Sequence, residues 1–206
     1  MTPAAPPQGF RHLAGHLDAA LQARLVREVL AGVAASGGFF RPHMPRTGRP
    51  FSVLMGNLGP LGWVSDRHGY RYQERHPLTG RPWSPMPDAL LALWRELAGD
   101  PRPPECCLVN WYRADSRLGL HRDEDEEVFD APILTISLGD DAIFRIGGLR
   151  RRDPTWRVRL KSGDVVVMGG TSRLAYHGID RILPDTSTLV PDGGRLALTL
   201  RRVRAA

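Results

Sequence analysis

The stretch SGDVVVMGGTSRLAYHGI, residues 162–179, decides how the chain is read. A short apolar run, DVVVMG (164–169), has the length and β-branched content of a buried strand. It is followed by a Gly-Gly turn, and a single histidine, His177, stands just beyond. Similar runs recur on both sides: CCLVNWY (106–112), PILTISL (132–138), AIFRI (142–146), TWRVRL (155–160) and RLALTLRRV (195–203). Gly- or Asp-containing turns separate them at short intervals. So many strands in about 100 residues predict a mostly β sandwich or barrel rather than alternating βαβ units.

Upstream the texture differs. Residues 18–36 carry apolar side chains at helical spacing, with Asp18 placed to cap the start and Gly37-Gly38 to stop the helix. Residues 88–98 form a second helix, ended by Gly99 and Pro101. Between them, residues 37–87 are rich in Gly, Pro and Arg and hold Trp63, Tyr70, Tyr72 and Trp83 among turn residues. That segment reads as a covering flap or binding surface rather than core. Residues 1–17 read as a flexible tail, 18–104 as helices plus lid and 105–206 as the β core, all in one compact domain.

Bulk properties narrow the class. Hydrophobic residues make up 42% and charged residues 24%, values ordinary for a water-soluble globular domain. No apolar run reaches the length of a membrane span, and the first ten residues lack the pattern of a secretory signal. Cys106 and Cys107 are adjacent, which rules out a disulfide framework, and a cytoplasmic location is the default. A monomer is expected, with no membrane partner. The net charge is +6, and Lys161 is the sole lysine among 28 basic residues. Arginine suits phosphates and carboxylates because its planar fork binds them in pairs. From 145 to 159 six Arg stand against one Asp, which fits a solvated edge and a nucleic-acid-facing patch equally well.

The chemistry concentrates in LHRDEDE (120–126). His121 and Asp123 are two apart, so on an extended backbone both side chains reach one ion. His177, from a distant strand, is the candidate third ligand. Two His and one carboxylate on one face leave three positions of an octahedron open, the arrangement of non-heme Fe(II) oxygenases. An electron-donating 2-oxoacid fills two of these. Arg195 and Arg201 lie six apart on one predicted strand, point the same way, and can each pair with one carboxylate of 2-oxoglutarate. Asn110 and Tyr112 share a face on another strand and can donate hydrogen bonds to the same dianion.

These residues together resemble the AlkB family of alkylated nucleic-acid demethylases. The likeness runs from about residue 38 to 203, through LGWVSDRHGYRY, LVNWY, LHRDEDE, AIFRIGGL, SGDVVVMGGTSRLAYHGI and RLALTLR. It implies a double-stranded β-helix, or jelly roll. It implies Fe(II) on the catalytic His121, Asp123 and His177, and 2-oxoglutarate on Asn110, Tyr112, Arg195 and Arg201. With O2 as second substrate, it implies oxidative demethylation of 1-methyladenine and 3-methylcytosine, releasing formaldehyde, succinate and CO2. The partner it implies is alkylated DNA, single-stranded or with the base flipped out, with RNA as a second polymer. In that picture Trp63 stacks on the base opposite His121, Asp125 meets its exocyclic amine and positive charge, Tyr70 and Tyr72 line the lid, and Arg151 contacts phosphate or the lesion edge. Glu124, Glu126 and Glu127 read as solvated. The family's last motif, R-x-N-x-T-F-R, is altered: Ala197 stands for the Asn and Leu200 for the Phe. An oxygenase of the same fold acting on a protein or small molecule, and a non-catalytic binding module, are the alternatives.

Overall fold

The computed structural model describes residues 5–205; the first four residues of the expected tail lie outside them. The elements run β1 (Phe10–Leu13), α1 (Ala19–Ser36), β2 (Leu54–Leu58), β3 (Gly62–Asp66), β4 (Gly69–Gln73), α2 (Asp88–Leu97), β5 (Cys106–Tyr112), β6 (Leu118–His121), β7 (Ile133–Gly139), β8 (Asp141–Ile146), β9 (Trp156–Leu160), β10 (Val165–Met168), a 3-10 turn (Gly170–Leu174), β11 (His177–Leu183) and β12 (Arg195–Arg201). They build a six-stranded sheet in the order β1-β10-β7-β12-β5-β2, a four-stranded sheet β6-β11-β8-β9 and a separate β3-β4 hairpin. All the named strand pairings are antiparallel. This is the expected jelly-roll core. No helix among the described residues is long and apolar enough to cross a membrane.

Three layers explain why the larger sheet's strands lack a polar face. One side of that sheet packs on α1 and α2, with Cys107, Val109, Leu134, Ile136, Val165, Val167, Leu196, Leu198 and Leu200 against Leu25, Val29, Leu90 and Trp94. The other side faces the smaller sheet, with Leu108, Ile133, Val166 and Met168 against Phe144, Ile146 and Ile179. All seven residues of β12 are therefore buried, yet parity still sorts them. Even positions meet the helices, and Arg195, Ala197, Thr199 and Arg201 look into the space between the sheets. Leu200 belongs to the helix side, so its departure from the family's Phe is a change in core packing that leaves the site untouched.

Both predicted helices form. Asp18 caps α1 by accepting from the Leu21 amide at 2.7 Å, and Gly37, at φ 123, ends it. Three expectations change. Residues 10–13, read as tail, form an edge strand along β10. The segment 37–87, read as unlike core, supplies buried Val53, Met55, Leu58, Leu61, Val64 and Trp83, and its β2 extends the main sheet beside β5. Trp83 is thus core rather than lid, its indole N–H donating to the Gln73 carbonyl at 2.8 Å. Both cysteines are free and buried.

Candidate active site

The space between the sheets opens outward as two chambers. The inner one is lined by Asn110, Tyr112, Thr135, His177, Arg195, Ala197 and Thr199, together with His121, Asp123 and Arg201. The outer one, about 270 Å³, is lined by Phe51, Trp63, Tyr70, Tyr72, Arg122, Asp125, Glu126, Arg151 and Tyr176, together with the same His121, Asp123 and Arg201. Those three residues, with Asn110 and Leu118, which also line both chambers, form the neck between a deep polar recess and an aromatic mouth.

At the neck, His121, Asp123 and His177 offer ligand atoms that all lie within 4.8 Å of one another. The strand register does this: His177 on β11 sits directly opposite His121 on β6. The strands come close because of Gly178, where a side chain's first carbon would lie 2.5 Å from the Leu118 carbonyl oxygen. Each ring is held by its Nδ1, which donates to a carbonyl: Gly119 at 2.9 Å for His121 and Ala175 at 3.0 Å for His177. A carbonyl can only accept, so Nδ1 carries a proton in each ring and Nε2 is the nitrogen turned toward Asp123. Burial, reinforced by neighbouring His121, pulls His177 down to about 4, so its imidazole is neutral at physiological pH. Burial opposes the charge of Asp123, but the Arg201 guanidinium bonded to it outweighs that and holds the carboxyl well below its usual range. Two imidazoles and one carboxylate are the donor set a divalent iron needs, with an open side facing both chambers.

The inner chamber fits a dicarboxylate. Arg195 is 1% exposed; its Nη2 donates to Ser137 Oγ at 2.8 Å, while Nε and Nη1 are buried without a partner. Burial lowers its pKa. A buried guanidinium with two idle donors has the chemistry to hold an anion, because orphaned donors are costly. Arg201 is differently placed. It lines both chambers, its Nη2 binds Asp123 Oδ2 at 2.6 Å and its Nε lies 3.4 Å from Glu126. Asn110 and Tyr112 both line the chamber. Ala197 lies directly across from Asn110, whose Oδ1 is buried and unpartnered.

In the outer chamber, Trp63 is half-buried and stacks on Tyr70, with ring centroids 5.5 Å apart and planes 18° apart. Its indole N–H donates to Asp125 Oδ2 at 2.8 Å. Burial raises the Asp125 carboxyl above its ordinary range, and this bond pulls the other way. Tyr72 has a deeper position than a lid residue: its hydroxyl donates to Glu126, and Arg201 Nη1 approaches it at 3.5 Å. Glu126 is the main correction. It is buried rather than solvated, gripped by the fully buried Arg173 at 3.1 Å. Arg173 also donates to the carbonyls of Asp123, at 2.9 Å, and Ala131, at 3.1 Å. Glu124 and Glu127 are exposed, as expected. Arg173 went unremarked in the sequence; its signal was an arginine inside the apolar run that leads to His177.

A model of the 2OG-Fe(II) oxygenase superfamily matches residues 9–201. An alpha-ketoglutarate-dependent dioxygenase AlkB homolog of Caulobacter vibrioides is 55% identical over 198 residues, 96% of this chain and 89% of that protein. The alpha-ketoglutarate-dependent dioxygenase AlkB of Escherichia coli is 42% identical over 183 residues, 87% of this chain and 83% of that one. The chain belongs to the AlkB family of 2OG-Fe(II) oxygenases. Among solved structures, that of OsALKBH1 superposes with a TM-score of 0.78 at 30% identity, covering 97% of this chain and 100% of the other. This AlkB-family protein is accordingly a dioxygenase that uses Fe(II), 2-oxoglutarate and O2, and its buried, histidine-rich neck and idle Arg195 agree with that chemistry.

Proposed function

We propose that this enzyme demethylates alkylated nucleobases, with 1-methyladenine and 3-methylcytosine as substrates, in single-stranded DNA, in RNA or in a duplex with the base flipped out. His121, Asp123 and His177 hold Fe(II). Arg195 receives the distal carboxylate of 2-oxoglutarate with Tyr112 across from it, and Asn110 bonds the near end. Arg201 fixes Asp123 while lying against the same chamber. Bound at the neck, iron with 2-oxoglutarate and O2 supplies the oxidising power that hydroxylates an N-methyl group, leaving succinate and CO2. The hydroxymethylated base then loses formaldehyde.

The carrying observation is the Trp63–Asp125 pair at the mouth. It places an aromatic face and a carboxylate side by side within reach of His121, and all three line one chamber. A methylated base bearing positive charge gains from both: stacking is worth about 1–3 kcal/mol per base, and a cation over an indole gains a further 0.5–1 or so. Tyr70 backs the tryptophan. Tyr72 fixes Glu126 behind the neck, and Arg151 holds the rim. The protein acts as a monomer in the cytoplasm in this reading.

Succinate and formaldehyde release on a panel of methylated oligonucleotides tests it. Asp125→Asn keeps an acceptor for the indole but removes the charge. It is expected to slow 3-methylcytosine repair more than repair of neutral ethenoadenine. Equal losses on both would reassign Asp125 to supporting the neck, and no release from any methylated base would overturn the reading.

A further inference from the structure

The β8–β9 hairpin carries arginines that the site itself leaves unused. Arg150, Arg151 and Arg152 are exposed at its tip, where Arg151 reaches the outer chamber. Past the tip, the outward side of the smaller sheet is arginine again. Arg157 lies directly across from Arg145, Arg159 across from Ile143, and Ile143 in turn across from Arg181 on β11. Like charges facing one another across strands are destabilising, and the sheet relieves this only in part. Asp180 meets Nε of Arg145 at 3.0 Å and of Arg157 at 3.2 Å, and Asp141 meets Nε of Arg159 at 2.7 Å. Anchored that way, Arg157 and Arg159 still show 64% and 51% of their side chains to solvent. Arg181 is exposed and has no carboxylate partner among the described residues. Together they frame a shallow groove of about 400 Å³.

The acids here position guanidiniums without cancelling them: four Arg stand against Asp141 and Asp180 on this face. A merely solvated edge gives no reason to set Arg157 opposite Arg145, since alternating signs would be more stable. The rim residue Arg151 and the face residues Arg157 and Arg159 belong to one hairpin, in which Asp153 is the only acid between them, and β9 alone extends roughly 13 Å. We propose that this face binds the phosphate backbone of the nucleic-acid strand that presents its base to the pocket, along the part of the strand beyond the flipped nucleotide. This deepens the function proposed above and rests on it for the identity of the strand. Its physical content is separate: a polyanion longer than the pocket needs must bind more tightly than one that only fills the mouth.

The test uses the full chain and unmodified single-stranded oligonucleotides of about 4 and about 16 nucleotides, a span matched to common single-strand site sizes. Binding is read by fluorescence anisotropy across a salt series. The variant is Arg157→Gln/Arg159→Gln/Arg181→Gln. Its control is Arg24→Gln/Arg27→Gln/Arg95→Gln, which removes the same charge from the exposed side of the helices. The first triple should bind the long oligonucleotide about tenfold more weakly and lower its salt slope by about 2, from about 0.7 per lost phosphate contact on a single strand. Binding of the short oligonucleotide, and turnover of a short methylated one, should stay within about twofold. Long-strand affinity that is unchanged, or reduced equally by the control, overturns the proposal. Because binding is measured on unmodified strands, a wild-type enzyme that turns over no methylated base would sink the demethylase reading and leave this measurement decisive on its own.

Discussion

Arg195 is the residue whose removal should cost the empty protein little and cripple the loaded one. It is fully buried, and two of its guanidinium nitrogens have no partner. Each buried, unpaired donor costs about 1–3 kcal/mol, so the two carry roughly 2–6 kcal/mol of strain in the absence of an anion. Against this, Arg195→Met loses the bond to Ser137, worth about 1.5–3 kcal/mol for a charged donor. It also loses the contact over the Tyr112 ring, 5.6 Å away, worth roughly 0.5–2 kcal/mol. Methionine fills most of the volume with little demand on geometry. The balance runs from about −3 to about +4 kcal/mol and centres close to zero, so the empty variant should melt within a few degrees of the wild type. With Mn(II) holding the neck, 2-oxoglutarate at about 100 times its Kd should stabilise the wild type by about 2.7 kcal/mol and the variant by nearly nothing. Differential scanning calorimetry with and without co-substrate reads both numbers. The reasoning fails if Arg195→Met is destabilised by more than about 3 kcal/mol, or if it keeps the full co-substrate shift.

Replacing His121 or His177 by Ala should abolish both turnover and tight metal binding, measured by metal content after dialysis, with the fold retained. Asp123→Ala should do the same and also leave Arg201 buried without its main partner, at a cost of about 3–5 kcal/mol, so its Tm should fall well below that of either histidine variant. Ala197→Asn puts an amide beside the unpartnered Asn110 Oδ1 and should tighten 2-oxoglutarate by about 1 kcal/mol, roughly fivefold; unchanged affinity by titration calorimetry would count against that. The lid hairpin should loosen in acid. Hydrogen bonding to Arg71 lowers Asp66 to about 2, so its clasp is complete above the ordinary carboxyl range and is lost as pH falls from about 4 through 2. Because the pair is partly exposed, its worth is a few tenths of a kcal/mol. Amide exchange across β3 and β4 should show the loss in the wild type and no such pH step in Asp66→Asn.

The strands that carry the chemistry were legible because parity survives burial. RLALTLR has no polar face, yet the spacing of Arg195, Ala197 and Arg201 puts them on one side of β12 whatever covers the other side. The same arithmetic placed Asn110 with Tyr112. The strands that escaped notice were the short or interrupted ones. LGLH and HGIDRIL have glycines where a strand pattern wants branched residues, and β3 and β4 hide among turn formers. Those glycines are needed all the same, since Gly178 gives β6 and β11 the closeness that brings His121 opposite His177.

Charge was read less well than position, and for one reason. A sequence shows which residues can ionise but gives no account of which opposite charge will be nearest. Glu126 sits among four other acids within six positions and so looked like part of a solvated turn. It is buried because Arg173, 47 residues away, is buried beside it, and neither charge would tolerate that place alone. Arg201, assigned to the co-substrate by its parity, also has Asp123 2.6 Å away, a partner that parity could not name. The consequence is chemical. An arginine bound to the carboxylate that faces the metal position draws electron density from that ligand and fixes its orientation. Losing Arg201 should therefore disturb metal retention as well as 2-oxoglutarate affinity, whereas losing Arg195 should disturb the co-substrate alone.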